Sequence, residues 1–343
     1  MLSGVLLNWA SRTKLAIPYF VPSETKTRKD RTELARRVQS LWIDAYLNQS
    51  LYNGVFLSLK LIIETTNNIR CQHVDLEKVR VDSASANTIE SGQQFSETYK
   101  KNHRMVITGK PGAGKTTLIS ELARRLLIEA RYNPSIPIPV VLMLSSWPGT
   151  QMQFDDWVID ELRRNYGNDI SSELARYWLV QGEIALFLDG LDELPWERQI
   201  SAVKAICGYQ KSGLDRWFVV CSRILTLVEL DRVGSGFDSI ATACIQPLTL
   251  PQILDYLGQF PGPLPEQFGA TLEVDNSLRE ICDIPLALNL ILQSFSCPNW
   301  KVMSAIDDVV ALRFLILETY LSGMLVRLRC SRTYDGSFAH FLR

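Results

Sequence analysis

GKPGAGKTT, residues Gly109 to Thr117, lies between the apolar run Met105-Val106-Ile107-Thr108 and TLISELARRLLIEARY, whose apolar residues recur at helical spacing. The order is therefore strand, glycine-rich loop, helix. Gly109, Gly114, Lys115 and Thr116 satisfy the pattern GxxxxGK[ST], the signature of a loop that cradles phosphates. Such a loop needs residues without Cβ, because its backbone N–H groups must close on phosphate oxygens. The helix after it adds its positive end. Gly109, Lys110, Pro111, Gly112, Ala113, Gly114, Lys115, Thr116 and Thr117 are thus the candidate phosphate ligands. Lys115 is expected to reach the β and γ phosphates, Thr116 to hold Mg²⁺ through its hydroxyl, and Thr117 to lie near the α phosphate.

Working outward, a metal-bound triphosphate calls for a carboxylate at the tip of a neighbouring strand. ALFLDGLDEL, residues 185–194, supplies one: the apolar run places Asp189 at the carboxyl end of a buried strand, where it can hold Mg²⁺. One short turn later come Asp192 and Glu193, of which Glu193 is the first choice to orient an attacking water and Asp192 the second. The same two acids also read as the capped start of a helix ahead of Pro195. FVVCSR, residues 218–223, is a third such strand, ending in Arg223, whose fixed charge would report a γ phosphate. Cys221 reads as packing, because no histidine lies near it in sequence.

Predicted strands at 105–108, 138–144, 183–188, 216–220 and 239–245 alternate with predicted helices at 115–131, 155–165, 172–181 and 197–209. Short apolar strands between amphipathic helices predict an α/β fold, a parallel sheet covered by helices on both faces. Beyond Pro247 the pattern turns helical, at 250–259, 275–283, 285–295 and 305–326, broken by the loop QFPGPLPEQFG at 259–269. Ahead of the core, ETKTRKDRTELARR at 24–37 reads as a solvated helix start or linker. The apolar spacing from Leu41 to Leu59 predicts one helix face or two short helices, and the polar stretch 82–98 a domain boundary.

With 36 basic and 37 acidic residues, the chain offers no global charge for nucleic acid or an anionic membrane. Seven scattered cysteines without a CxxC pair and three histidines suit neither a disulfide framework nor a zinc site. Apolar stretches such as Val55–Ile63 fall short of the roughly 20 residues that a spanning helix needs. The first twenty residues, interrupted by Arg12 and Lys14, do not read as a secretory leader, and a cytoplasmic chain is expected.

In this order, GKPGAGKTT, LSSW at 144–147, DDWVIDELRRNYG at 155–167, LFLDGLDEL, VVCSR and QPLTLPQILDYL at 246–257 resemble the NACHT family of signal-transducing P-loop ATPases, its bacterial members most of all. DIPLALNLIL at 283–292 is similar to that family's proline motif, and LWIDAYLNQSL at 41–51 to the segment ahead of its nucleotide domain. The resemblance implies four parts: an N-terminal helical or linker region at 1–90, a nucleotide domain at 91–247, a small helical domain at 248–300, and the opening of a winged-helix domain at 301–343. It implies ADP in a resting state, self-association with ATP, slow hydrolysis, Pro285 against the adenine, and a role in bacterial defence. The family's later histidine on the β phosphate has no counterpart, and His340 comes too early to take that role. Three other readings stay open: an AAA+ remodelling ATPase with an added strand between loop and acid, a nucleotide-holding scaffold without useful hydrolysis, and a Ras-like GTPase. Nothing here resembles NKxD, the base-reading element of that last class.

Overall fold

A computed structural model of the chain describes residues 24–48, 57–64, 87–89, 91–211, 215–237 and 240–294, with 311, 314, 315 and 318 beyond them. The expected helix at 305–326 and the partial winged helix lie outside the described residues. Seven described strands form one sheet: β1 (Leu61–Glu64), β2 (Asn87–Ile89), β3 (Arg104–Thr108), β4 (Ile138–Met143), β5 (Ile184–Asp189), β6 (Phe218–Ser222) and β7 (Ala241–Ile245). Their order is β2-β1-β7-β3-β6-β5-β4. From β7 to β4 every pairing is parallel, whereas β1 joins β7, and β2 joins β1, antiparallel. All residues of β5, β6 and β7 are buried, as a sheet covered on both faces requires. The chain is α/β with a P-loop between β3 and the helix that follows it.

The flanking helices are α1 (Glu24–Val38), α2 (Gly92–Asn102), α3 (Lys115–Ala130), α4 (Phe154–Tyr166), α5 (Ser172–Gln181), α6 (Trp196–Gln210) and α7 (Ile224–Arg232). Between α1 and residue 48 the chain takes a wider π-helical wind over Gln39–Leu47, in which the Asn48 N–H reaches back five residues to the Ile43 carbonyl. One expectation needs correction here: the stretch 24–37 is a docked helix, with Leu34 and the following Val38 buried and Arg37 bonded to Asp169 at 2.7 Å and to the Tyr166 carbonyl at 2.6 Å. Of the helical reading of 41–59, the described helical part is the π stretch up to Leu47, with Ile43 and Leu47 buried, while residues 49–56 lie outside the described residues. Within the polar stretch 82–98, Ser91 caps α2 by accepting from the Gln94 N–H at 3.2 Å.

An edge strand exposes unpaired backbone groups, and β4 is one edge of this sheet. Its Val141 N–H donates to the Tyr166 hydroxyl at 2.8 Å, and that hydroxyl donates to the Val141 carbonyl at 2.9 Å. On β6, the strand starts two residues later than 216–220 suggested, because Arg216 is taken into the core, where it donates to the Leu179 carbonyl and lies over the Tyr209 ring.

Cα-contact clustering divides the chain into two units, the first Met1–Ser50, Leu59–Pro111 and Lys115–Gln246, the second Leu51–Ser58, Gly112–Gly114 and Pro247–Arg343. The second contains α8 (Leu250–Leu257), α9 (Pro263–Val274), α10 (Asn276–Cys282) and α11 (Pro285–Ser294). Helix α9 stands where a loop was expected at 259–269; Pro263 occupies its first position, where a missing N–H costs nothing. Within α11, Leu288 and Leu292 are buried, whereas Leu286 is 52% exposed.

Tyr166→Phe should strip both partners from Val141 and destabilise the fold by about 1–3 kcal/mol, the cost of leaving buried backbone groups unsatisfied. A urea midpoint equal to that of the wild type contradicts this.

Candidate nucleotide site

The sheet order places β6 between β3 and β5, so three parallel, mutually bonded strands end side by side. Thr108 leads from β3 into the P-loop, Asp189 ends β5, and Arg223 follows the last residue of β6. Polar residues collect at these tips because the strand interiors are apolar and buried on both faces.

At the loop, Gly112 and Gly114 have φ of +74° and +90°, in the left-handed region that side chains disfavour. A Cβ on Gly112 would also come within 3.0 Å of Leu286 Cβ and 3.1 Å of Ile284 Cγ2. Within the second unit, the Gly112 carbonyl accepts from the Leu286 N–H at 3.1 Å, so the first turn of α11, with Pro285 at its start, lies against the loop apex. Lys115 opens α3, and its Nζ donates to the Gly109 and Lys110 carbonyls at 3.1 and 3.2 Å. This parks an ammonium over the loop.

The Thr116 hydroxyl donates to Asp189 Oδ2 at 2.6 Å. Asp189 is 4% exposed, and burial raises its carboxyl above the usual carboxylate range, opposed by bonds from Thr116, the Cys221 thiol and the Gly190 N–H, and by the Lys115 charge. Cys221 is itself buried, its thiol pushed well above the usual range by burial and then by Asp189, which makes it packing and not a nucleophile.

After Asp189 the chain turns off the strand at Gly190, with φ of +81°, into a single 3₁₀ turn at Leu191–Glu193. This separates the two acids that come after it in sequence. Asp192 is held in an ion pair, its Oδ2 2.7 Å from Arg223 Nε, with the Asp192 side chain 8% and the Arg223 side chain 51% exposed. Glu193 is exposed and folds back over Gly190, where a Cβ would meet its Oε2 at 3.0 Å. Of the two acids, Asp192 is thus paired with Arg223 and Glu193 is exposed. Sequence reasoning had no signal for the Arg223–Asp192 pair.

The residues present fit Mg²⁺. A buried carboxylate bonded to the first hydroxyl of a P-loop helix is the protein half of such a site, with phosphates and water supplying the remaining oxygens. Among the described residues no group of three or more His, Cys, Asp or Glu could hold a metal, so the cation would depend on the phosphates. Also among them, no helix is long and apolar enough to cross a membrane.

No protein-family model matches the chain, and no curated protein matches it. Solved structures do. It is similar to an ORC1 protein of Aeropyrum pernix, solved in complex with DNA, at 18% identity and a TM-score of 0.42 over 66% of this chain and 64% of that one. The ORC2 protein of the same organism, solved in ADPNP–ADP complexes, gives 12% identity and 0.42 over 66% of each chain. PCH-2 of C. elegans gives 16% and 0.32 over 68% and 66%. The chain thus spans slightly less than two thirds of these relatives, and the functional reading rests on the site's own geometry.

Asp189→Asn should raise the stability of the nucleotide-free protein at neutral pH and remove Mg²⁺-dependent nucleotide binding. Because burial raises the folded-state pKa, the ionised carboxylate costs stability above that pKa, and the cost disappears as pH falls through it. The advantage of the Asn variant should therefore shrink on acidification; an advantage that grows instead contradicts the burial argument.

Proposed function

We propose that this chain is an ATP-binding switch of the NACHT kind, with slow hydrolysis, an ADP-bound resting state and ATP-dependent self-association, acting in bacterial defence. The observation that carries it is the Arg223–Asp192 pair beside the Thr116–Asp189 bond. A cation already held at the γ-phosphate edge can exchange an internal carboxylate for a phosphate. ADP leaves that pair intact, whereas ATP competes for it.

In this reading Lys115 moves from its two loop carbonyls to the β and γ phosphates, while the first N–H groups of α3 hold the β phosphate. Thr116 and Asp189 hold Mg²⁺, which when bound neutralises phosphate charge. Glu193 accepts a hydrogen bond from the attacking water, and Arg223 binds the γ phosphate. Pro285, at the start of α11, is placed against the adenine. A ligand shifts a conformational balance only by its difference in affinity for the two states. One charge-assisted contact from Arg223 contributes about 1.5–3 kcal/mol to that difference, roughly ten- to a hundredfold.

A second reading is an AAA+ remodelling ATPase, and the strand order supports it at least as well. The two differ in turnover and assembly: a remodelling ATPase cycles fast as a ring with an arginine from its neighbour, whereas the switch hydrolyses slowly and assembles only with ATP. A scaffold that binds nucleotide without hydrolysis would stay monomeric with both.

The deciding experiment identifies the copurifying nucleotide and measures molecular mass with ATP and with ADP. ADP on the purified protein and assembly only with ATP are expected; a monomer under both conditions refutes the switch. Lys115→Ala should weaken nucleotide retention by at least about tenfold, the loss of one or two charged hydrogen bonds. Glu193→Gln should bind nucleotide normally and hydrolyse it more slowly. Arg223→Ala should lose the preference for ATP over ADP with ADP affinity little changed; equal weakening toward both nucleotides would exclude a sensing role.

A further inference from the structure

The first turn of α11 is capped by the P-loop. The Leu288 N–H donates to the Ile284 carbonyl at 3.1 Å, so Ile284 stands at the cap position, where Ser, Thr, Asp or Asn ordinarily accepts from an unpaired amide of the first turn. An isoleucine has no side-chain oxygen for that. Pro285 brings no N–H, and the Leu286 N–H goes to the Gly112 carbonyl at 3.1 Å. All of these residues belong to the second unit. Packing around the bond is close: a Cβ on Gly112 would meet Leu286 Cβ at 3.0 Å, Ile284 Cγ2 at 3.1 Å and Leu286 Cδ2 at 3.3 Å. With φ of +74° as well, this position suits glycine.

Peptide geometry gives the bond a second effect. In a planar trans peptide the C=O and the N–H point to opposite sides, so the Gly112 carbonyl and the Ala113 N–H are the two ends of one rigid plane. Holding the carbonyl toward Leu286 therefore holds the Ala113 N–H away from α11. Ala113 is the middle residue of Gly112–Gly114, whose amides are candidate phosphate donors. A hydrogen bond accepted at one end of a peptide also strengthens the donor at the other.

We infer that Leu286 is a positioning residue for the P-loop: its backbone N–H sets the Gly112–Ala113 peptide so that the Ala113 amide donates to phosphate, and phosphate in the loop in turn tightens the start of α11. The coupling runs both ways, because two linked binding events change each other's affinity by the same factor. This inference rests on the reading of GKPGAGKTT as a phosphate loop. It gives the turn after Pro285 a part in holding phosphate, separate from any contact with the base.

The test uses the full chain with the α-hydroxy acid analogue of leucine at position 286, an ester that deletes the N–H and keeps the side chain. The same exchange at Leu288, whose N–H goes to Ile284, is the control, and Leu286→Ala removes the side chain beyond Cβ but keeps the N–H. Affinities for ADP and for inorganic pyrophosphate are measured by calorimetry in Mg²⁺ buffer. The ester at 286 should weaken both about three- to tenfold, the worth of one hydrogen bond, while the ester at 288 and Leu286→Ala change neither by more than about twofold. Pyrophosphate has no base, so a role through adenine alone leaves its affinity unmoved. In the unaltered protein, ADP should slow hydrogen exchange of the Leu286 amide by a similar factor. Pyrophosphate affinity untouched by the ester at 286, or exchange at Leu286 that stays the same or quickens, overturns the inference while leaving the nucleotide site standing. If the unaltered protein binds neither ADP nor pyrophosphate, the nucleotide-site reading falls, and this inference with it.

Discussion

A single hydrogen bond, from the Thr116 hydroxyl to the Asp189 carboxylate at 2.6 Å, holds the start of α3 against the end of β5. The two residues stand 73 positions apart, Thr116 on the helix that follows β3 and Asp189 at the end of β5, and these two strands do not touch, since β6 lies between them. The bond closes the site from two sides. The carboxylate it holds is one that burial penalises, and the Thr116 bond opposes that penalty.

Around that bond the polar groups have internal partners. Lys115 rests on two loop carbonyls and Arg223 on Asp192. Those contacts lead to two places, the P-loop and the 3₁₀ turn after β5.

Much of this was legible in order along the chain. The P-loop, the acid after LFL and the arginine after VVCS are local patterns of apolar run followed by polar tip, and each strand that carries one was found to within two residues. The helices 115–131, 155–165, 172–181 and 197–209 were legible for the same reason, a strong 3.6-residue period. Less was visible where elements are short or their sequence reads otherwise. Strands β1 and β2 have four and three residues and hold their places by pairing with β7 and with each other. Helix α9 hides behind Pro263 and Pro265, which break a helix in its interior but not at its start. The basic stretch of α1 reads as solvated because nothing in it reveals that Asp169, Tyr166 and Glu183 are waiting for its arginines.

What the sequence by itself determined is the order of strand, glycine loop and helix and the polar tips of the strands beside it, because these are local requirements of backbone geometry and burial. It also determined the α/β class, through the alternation of buried strands and amphipathic helices. Only the tertiary structure decided that Asp192 pairs with Arg223 while Glu193 stays exposed. The strand order brings Arg223 to Asp192 across the sheet, and that proximity comes from long-range packing, which no spacing within a single segment encodes.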